Sequence, residues 1–178
     1  MRALSDGLGK GATFVVRLPL ASATTATPER ARAHPTVGEQ APFECPPELE
    51  GVRVLVVDDE PDARDLLATV LRSCGAHVET AASAEEALAS ITQAPPDVVV
   101  SDIGMPGQSG YDLIRRIRAL PAGAGGRTPA VAITAYARLE DRTRALRAGF
   151  QLHAAKPIEP AELLAVVATL TNRHASES

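Results

Sequence analysis

The feature that most restricts the fold is a regular alternation of strand-like and helix-like segments across residues 52–172. Short apolar runs, such as residues 52–57 and Ala130–Thr134, each lead into a segment whose apolar side chains recur at helical spacing, as in Pro61–Ser73. Residues 97–101 include three consecutive valines, which is typical of a parallel strand covered by helices on both faces. Five such units predict a doubly wound α/β sheet of five parallel strands with five helices.

Capping and stop signals predict where the helices begin and end. Ser83 and Glu86 have the spacing of a capping box at the start of the second helix, and Gly75 stands where the first helix is expected to stop. The buried face of the first helix is predicted to consist of Leu66, Leu67, Val70 and Leu71. The helices are predicted at Pro61–Ser73, at residues 83–91, from about Gly110, at Leu139–Ala148 and from Pro160.

The composition divides the chain into four parts. Residues 1–20 contain a Gly-rich loop that runs into an alternating strand, whereas residues 21–51 are rich in Ala, Thr and Pro and have almost no apolar periodicity. Such a stretch buries too little surface to offset its ordering entropy, so it is predicted to be a linker. Residues 52–172 form the α/β domain, and residues 173–178 form a polar tail.

Composition and charge argue against several classes of function. The chain has a formal net charge of −4 and only 3% aromatic residues, so we expect no nucleic-acid binding, which favours basic patches and stacking platforms. No apolar run approaches the roughly 20 residues of a membrane span, and we expect no membrane contact by this chain. Cys45 and Cys74 are far apart and lack metal-like spacing, so we expect no disulfide and a reducing, cytoplasmic setting.

Polar side chains follow the predicted strands at their carboxyl ends. In doubly wound sheets, functional groups gather beyond these ends, near a topological switch point. In the flavodoxin-like strand order, 2-1-3-4-5, the first and third strands are neighbours, so the carboxylates that follow them converge in one crevice. The residues concerned are Asp58 and Asp59 after the first strand, Asp102 after the third, Thr134 after the fourth and Lys156 after the fifth.

Three carboxylates in one crevice repel one another unless a proton or a cation lies between them. A hard divalent cation is the expected solution, because Mg²⁺ suits a few carboxylates together with waters and a phosphate oxygen. Carboxylates that a metal keeps ionised can attack a phosphoryl donor. Phosphoryl transfer needs mainly positioning and charge neutralisation, which Mg²⁺, a hydroxyl and an ammonium can supply.

Four segments resemble the signatures of response-regulator receiver domains. Together they lie within residues 52–172, in the order and at the strand ends that the family shows. The resemblance implies a flavodoxin-like fold and a phosphoacceptor function, without enzyme activity, in a two-component phosphorelay. The four segments are Val56-Val57-Asp58-Asp59-Glu60, Ser101-Asp102-Ile103-Gly104-Met105-Pro106, Ile133-Thr134-Ala135 and Lys156-Pro157.

The resemblance implies a role for each matching residue. Asp102 would be the phosphoacceptor, Asp59 and Asp102 would bind Mg²⁺ directly, and Asp58 would act on the metal through water. The backbone carbonyl of Gly104 would complete the metal ligands, and the hydroxyl of Thr134 would bond a phosphoryl oxygen.

The resemblance also implies roles for Lys156 and for two residues near it, Pro157 and His153. Lys156 would pair with the phosphate, and the Lys156–Pro157 peptide bond would be cis, which proline makes accessible. The family usually places a Tyr or Phe three residues before this lysine as a rotamer switch. His153 occupies that switch position here, so the inward swing of a phenol or phenyl ring is not a safe expectation for this chain.

Residues 6–14 resemble the end of a histidine-kinase ATP-binding domain, whose glycines form part of the lid over the nucleotide phosphates. The rest of that domain and a phosphorylatable dimerisation histidine are absent from the sequence. We therefore interpret residues 1–20 as a kinase remnant and the chain as the receiver part of a hybrid histidine kinase. The expected partner is a histidine kinase or a histidine-phosphotransfer protein, with residues 130–172 as the contact surface.

Three alternatives remain open from the sequence. A docking module could bind Mg²⁺ without ever carrying phosphate. An active histidine kinase would need the missing histidine and ATP site. An aspartyl-phosphate hydrolase would place its nucleophile in an Asp-x-Asp motif after the first strand, which Asp58-Asp59-Glu60 does not match.

Overall fold

The structure is a computed structural model, and it describes residues 2–4, 7, 11, 13–15, 45–135 and 139–176. Most of the predicted linker and the end of the predicted polar tail lie outside these residues. None of the helices in the described part of the chain combines the length and hydropathy that a membrane span requires.

The chain divides into two units, residues 1–39 and residues 40–178. In the first unit, strand β1 (Arg2–Leu4) pairs antiparallel with strand β2 (Thr13–Val15). The alternating strand predicted after the Gly-rich loop is therefore present at residues 13–15, and residues 16–20 lie outside the described part. The assignment of this segment to a kinase domain stays a prediction.

The second unit is a five-stranded parallel sheet with five helices. Counted within this unit, the order is 2-1-3-4-5, which confirms the predicted flavodoxin-like fold. The strands are β3 (Arg53–Val57), β4 (His77–Ala81), β5 (Val98–Asp102), β6 (Ala130–Thr134) and β7 (Leu152–Ala155). The helices are α1 (Pro61–Ser73), α2 (Ala84–Gln93), α3 (Gly110–Arg118), α4 (Leu139–Ala148) and α5 (Pro160–Ser176).

The central strand β5 is buried along its whole length, as its three valines predict. Val98 and Val100 pack into one apolar cluster with side chains of α1 and α5, such as Leu163. Val99 points to the other face, where it joins a second cluster with α2 and α3 residues, such as Ile114. Because successive side chains of a strand alternate between faces, one apolar run supplies both cores and fixes β5 in the middle of the sheet.

The predicted buried face of α1 is wrong at Leu66, whose surface is 63% exposed. The buried residues of the helix are Leu67, Ala68, Val70 and Leu71. Viewed down the helix axis, at about 100° per residue, these four residues form one buried face, and Leu66 lies roughly 120° from the centre of that face. Ala68, with its small side chain, belongs to the buried face instead of Leu66. Leu66 is therefore an exposed apolar residue on the surface of the domain.

The prediction that the cysteines stay free is also wrong, because Cys45 and Cys74 form a disulfide with a Cα–Cα distance of 5.2 Å. A 3-10 helix at Pro47–Leu49 lays the end of the predicted linker against the domain, and Leu49 is fully buried in the core. The amide of Gly51 donates to the carbonyl of Gly75 at 3.0 Å. The packed domain thus begins before residue 52, and tertiary packing brings together two cysteines that are 29 residues apart.

Arg118, at the carboxyl end of α3, forms several hydrogen bonds with the loops around it. Its guanidinium donates to the carbonyls of Gly149, Gly126 and Thr128 at 2.8–3.1 Å and to the side chain of Gln151 at 3.0 Å. Burial lowers the pKa of this guanidinium, but an arginine stays charged because its ordinary pKa is so high. Arg118 therefore ties the loop before β6 and the loop before β7 together at the amino edge of the sheet.

Candidate functional site

The loop after β3 holds Asp58 in place through backbone contacts. The amide of Asp58 donates to the carbonyl of Ala81 at 3.2 Å, and Arg64 donates to the carbonyl of Asp58 at 2.7 Å. Its carboxylate, which is 1% exposed, accepts from the amide of Glu60 at 2.9 Å. Pro61 then begins α1, as its fixed φ favours at a first helical position. Asp58 is therefore a buried and immobilised carboxylate at the carboxyl end of its strand.

Asp102 is the last residue of β5 and is 7% exposed. The amide of Ile103 donates to the carbonyl of Ile133 at 3.0 Å, and the amide of Gly110 donates to the carbonyl of Ile103 at 3.1 Å. Gly110 has no room for a side chain, since an added Cβ would collide with the carbonyl oxygen of Asp102 and lie 2.9 Å from the Cα of Ile103. The start of α3 thus packs directly on the backbone of the loop that carries Asp102.

Lys156 directly follows β7 and forms ion pairs with two of the carboxylates. Its amide donates to the carbonyl of Thr134 at 2.7 Å, and the Lys156–Pro157 peptide bond is cis. Its ammonium is 2.8 Å from Oδ2 of Asp58 and 3.3 Å from Oδ1 of Asp102. Burial acts to lower the pKa of Lys156, but the hydrogen bond to Asp58 and the charge of Asp102 outweigh burial, so the pKa is raised.

The three carboxylates predicted to converge do lie together. Asp58, Asp59 and Asp102 each offer an oxygen atom within 4.8 Å of the others, and Asp59 is the exposed member. When ionised, three carboxylates beside one ammonium carry a net charge of −2, which matches a divalent cation. Oxygen ligands with one exposed side also suit Mg²⁺, which keeps several of its waters. The residues present therefore fit a magnesium ion.

A pocket of about 430 Å³ opens over Asp102. Thr134 forms part of its wall and is 5% exposed, whereas Gly104 leaves room because an added Cβ would meet Oδ2 of Asp102 at 3.4 Å. His153 is half-buried on β7 opposite Ala132, and its buried Nε2 makes no hydrogen bond within the described residues. The lining consists of Asp102, Ile103, Gly104, Tyr111, Thr134, Ala135, Asp141, Arg144 and Lys156.

Three residues of this wall could not be predicted from the sequence: Tyr111, Asp141 and Arg144. Arg144 is exposed, and its guanidinium carbon lies 4.4 Å from the ring centroid of Tyr111. The helical spacing of Asp141 and Arg144 puts both on one face of α4. No pattern in the sequence indicates that this face turns toward Asp102.

A family model described as the response regulator receiver domain matches residues 54–168. The chain belongs to this family. A receiver domain is a phosphoacceptor signalling domain and not a classical enzyme, so the kinase and hydrolase alternatives do not describe this domain. Receiver domains bind Mg²⁺ in their acidic site and interact in general with histidine kinases or phosphotransfer proteins.

Relatives of this receiver domain stand alone or form part of larger proteins. An uncharacterised 14.6 kDa protein of Leptolyngbya boryana is 49% identical over 119 residues, which is 67% of this chain and 89% of that protein. The sensor histidine kinase RcsC of Salmonella typhimurium is 38% identical over 109 residues, covering 61% of this chain but only 11% of the kinase. The chain therefore spans about a tenth of the length of that kinase.

Among solved structures, the chain resembles the receiver domain of the sensor histidine kinase PA1611 from Pseudomonas aeruginosa. The TM-score is 0.62 at 33% sequence identity, and the match covers 68% of this chain and 98% of that domain. That domain was crystallised with a magnesium ion coordinated in its active-site cleft.

Proposed function

We propose that this receiver domain accepts a phosphoryl group from a phosphohistidine onto Asp102, with Mg²⁺ bound by the neighbouring carboxylates. The observation that carries the proposal is the position of Asp102, which is the one member of the carboxylate cluster that also lines the pocket. Both oxygens of Asp58 already accept hydrogen bonds, from Glu60 and from Lys156. Asp59 lies on the exposed side. Asp102 is therefore the carboxylate best placed to meet an incoming phosphorus atom.

The transfer forms one bond and breaks one. A carboxylate oxygen of Asp102 attacks phosphorus, the P–N bond of the phosphohistidine breaks, and the imidazole nitrogen keeps the electron pair and takes a proton from solvent. The product is an acyl phosphate. The ammonium of Lys156, 3.3 Å from Asp102, then pairs with a phosphoryl oxygen, and the hydroxyl of Thr134 donates to another.

The metal ligands of the proposal are Asp59, Asp102 and the carbonyl of Gly104, with Asp58 acting through water. The hydrogen bonds on both oxygens of Asp58 support this more distant role. Bound Mg²⁺ supplies charge neutralisation for the phosphoryl oxygens. His153 stands at the position where the family usually has an aromatic switch residue, and its imidazole is half-buried.

We also propose that the domain is the receiver part of a hybrid histidine kinase and works in the cytoplasm. Because Cys45 and Cys74 form a disulfide, the cysteines no longer support that setting, and it rests on the kinase context alone. The match to RcsC and the resemblance of residues 6–14 to a kinase lid support this context. The partner would then be the parent kinase or a histidine-phosphotransfer protein. Within the proposed contact surface, residues 130–172, the exposed Leu146 of α4 is an apolar side chain that such a partner can cover.

The test is incubation with acetyl phosphate and Mg²⁺, followed by intact-protein mass spectrometry. We expect one added phosphoryl group on the wild type and none on Asp102→Asn. Asp65→Asn is the matched control, because Asp65 is an exposed carboxylate of α1 outside the cluster, and it should be phosphorylated like the wild type. An unchanged wild-type mass together with saturable Mg²⁺ binding would favour the docking module instead.

A further inference from the structure

Arg144 occupies an unusual position for an exposed arginine. It lines the pocket over Asp102, and its guanidinium carbon lies over the ring of Tyr111, 4.4 Å from the ring centroid. Tyr111 is only 7% exposed and follows Gly110, whose close packing on Asp102 fixes the start of α3. The ring is therefore a rigid platform next to the phosphoacceptor. A guanidinium held on such a platform loses less conformational freedom when it binds an anion.

The charge of Arg144 acts on Asp112 at longer range, where it adds to the hydrogen bonds with Ser109 that lower the pKa of that carboxyl. Within the described ranges Arg144 forms no ion pair, whereas Arg115 is 3.2 Å from Asp112. Because the guanidinium carbon of Arg144 lies over the ring of Tyr111 and an aromatic ring does not use up all five N–H groups, donors of Arg144 stay available for an oxyanion. Lys156, in contrast, is already shared between Asp58 and Asp102.

We propose that Arg144 is a second phosphoryl-binding cation of the acceptor pocket, held in place by Tyr111. The inference rests on phosphorylation of Asp102, and it adds a residue on α4 to the groups that bind the phosphoryl oxygens. A phosphoryl group brings three oxygens and up to two negative charges into a pocket whose ammonium is shared with two carboxylates. Arg144 supplies the additional hydrogen-bond donor. It therefore speeds phosphoryl transfer from a dianionic phosphoryl donor to Asp102.

The same cation has the opposite effect on magnesium. Before the donor arrives, Arg144 and Mg²⁺ are like charges near one pocket, so Arg144 weakens the binding of the metal. Removal of the guanidinium should therefore slow phosphorylation and at the same time tighten Mg²⁺ binding. A substitution that merely damages the fold would weaken both.

The experiment compares Arg144→Ala with Arg147→Ala in the full 178-residue chain. Arg147 is the matched control, because it is an exposed arginine of the same helix that does not line the pocket over Asp102. We expect Arg144→Ala to lower the phosphorylation rate with acetyl phosphate about tenfold, the scale of one charge-assisted hydrogen bond at a partly exposed site. We expect the Mg²⁺ dissociation constant, measured by calorimetry, to fall about twofold. Arg147→Ala should leave both values within about a factor of two of the wild type.

Two further variants test the platform. Arg144→Lys keeps the charge without the planar fork and should recover part of the lost rate. Tyr111→Leu removes the aromatic face and should slow phosphorylation about threefold, the scale of an exposed cation–π contact, and Tyr111→Phe should recover most of that loss.

The outcomes separate this inference from the proposed function. A wild type that gains no phosphoryl group contradicts the proposed function and the inference with it. A wild type that is phosphorylated at the same rate as Arg144→Ala overturns the inference alone. A slower rate combined with weaker Mg²⁺ binding in Arg144→Ala would also overturn it, because that result indicates structural damage.

Discussion

The disulfide between Cys45 and Cys74 predicts a large change in stability when it is removed. It closes a loop of 29 residues, which adds about 3.6 kcal/mol to the free energy of unfolding in the chain-entropy model at 25 °C. The perturbation is Cys45→Ser, because Cys45 is exposed and a serine hydroxyl there stays in water. Cys74 is buried, and its thiol keeps nearly the same packing when the bond is absent.

The assay is urea unfolding of the oxidised protein, followed by circular dichroism. With a urea dependence of about 2 kcal/mol/M, a loss of about 3.6 kcal/mol lowers the midpoint by nearly 2 M. A reducing agent should lower the midpoint of the wild type by a similar amount and leave that of Cys45→Ser unchanged. The rate of phosphorylation should not change, because both cysteines lie at the amino ends of the strands, away from Asp102.

Two results would refute this reasoning. The first is a wild-type midpoint that is the same with and without the reducing agent. The second is a count of two free thiols per chain when the oxidised protein is unfolded in urea without a reducing agent, which would show that the bond does not form.

Three other predictions concern Gly110, Arg118 and Lys156. Gly110→Ala should lower the free energy of unfolding, measured by urea titration, by more than about 2 kcal/mol. The reason is that the new Cβ would meet rigid backbone at Asp102 and Ile103. A free energy of unfolding within about 0.5 kcal/mol of the wild-type value would contradict this packing. Arg118→Ala should lower the free energy of unfolding by about 2–4 kcal/mol in the same titration, because three backbone carbonyls lose a charged hydrogen-bond donor. A change near zero would mean that water replaces the guanidinium. The raised pKa of Lys156 means that its stabilising contribution is complete below the unfolded pKa of about 10.4 and is lost as the pH rises through the higher folded value. The stability difference between wild type and Lys156→Met, measured without Mg²⁺, should therefore stay constant up to about pH 10 and shrink as the pH rises above about 10.4, and a difference that does not change there would contradict the ion pairs.

The sheet could be predicted from the sequence because the apolar pattern of each strand indicates how far that strand is buried. Three valines in a row can be buried on both faces only in the middle of a parallel sheet, and β5 lies there. The carboxylates of Asp58, Asp59 and Asp102 could be brought together for the same reason, since parallel strands present their carboxyl ends at one edge.

The sequence was insufficient where a contact depends on how separate elements pack. Leu66 looks as apolar as Leu67, and only the orientation of α1 on the sheet decides which of them faces solvent. The pairing of Cys45 with Cys74 depends on Leu49 anchoring the preceding segment in the core. Arg118 and Arg144 both lie in arginine-rich helices, and their different partners become visible only when the neighbouring loops and rings are placed.

The most direct test of the central claim is to locate the phosphoryl group on the wild-type protein. After reaction with acetyl phosphate and Mg²⁺, borohydride reduces an acyl phosphate of aspartate to homoserine, and peptide mass spectrometry then identifies the residue. The account predicts homoserine at position 102 and unmodified aspartate at positions 58 and 59. Homoserine at 58 or 59 with aspartate intact at 102 would contradict it.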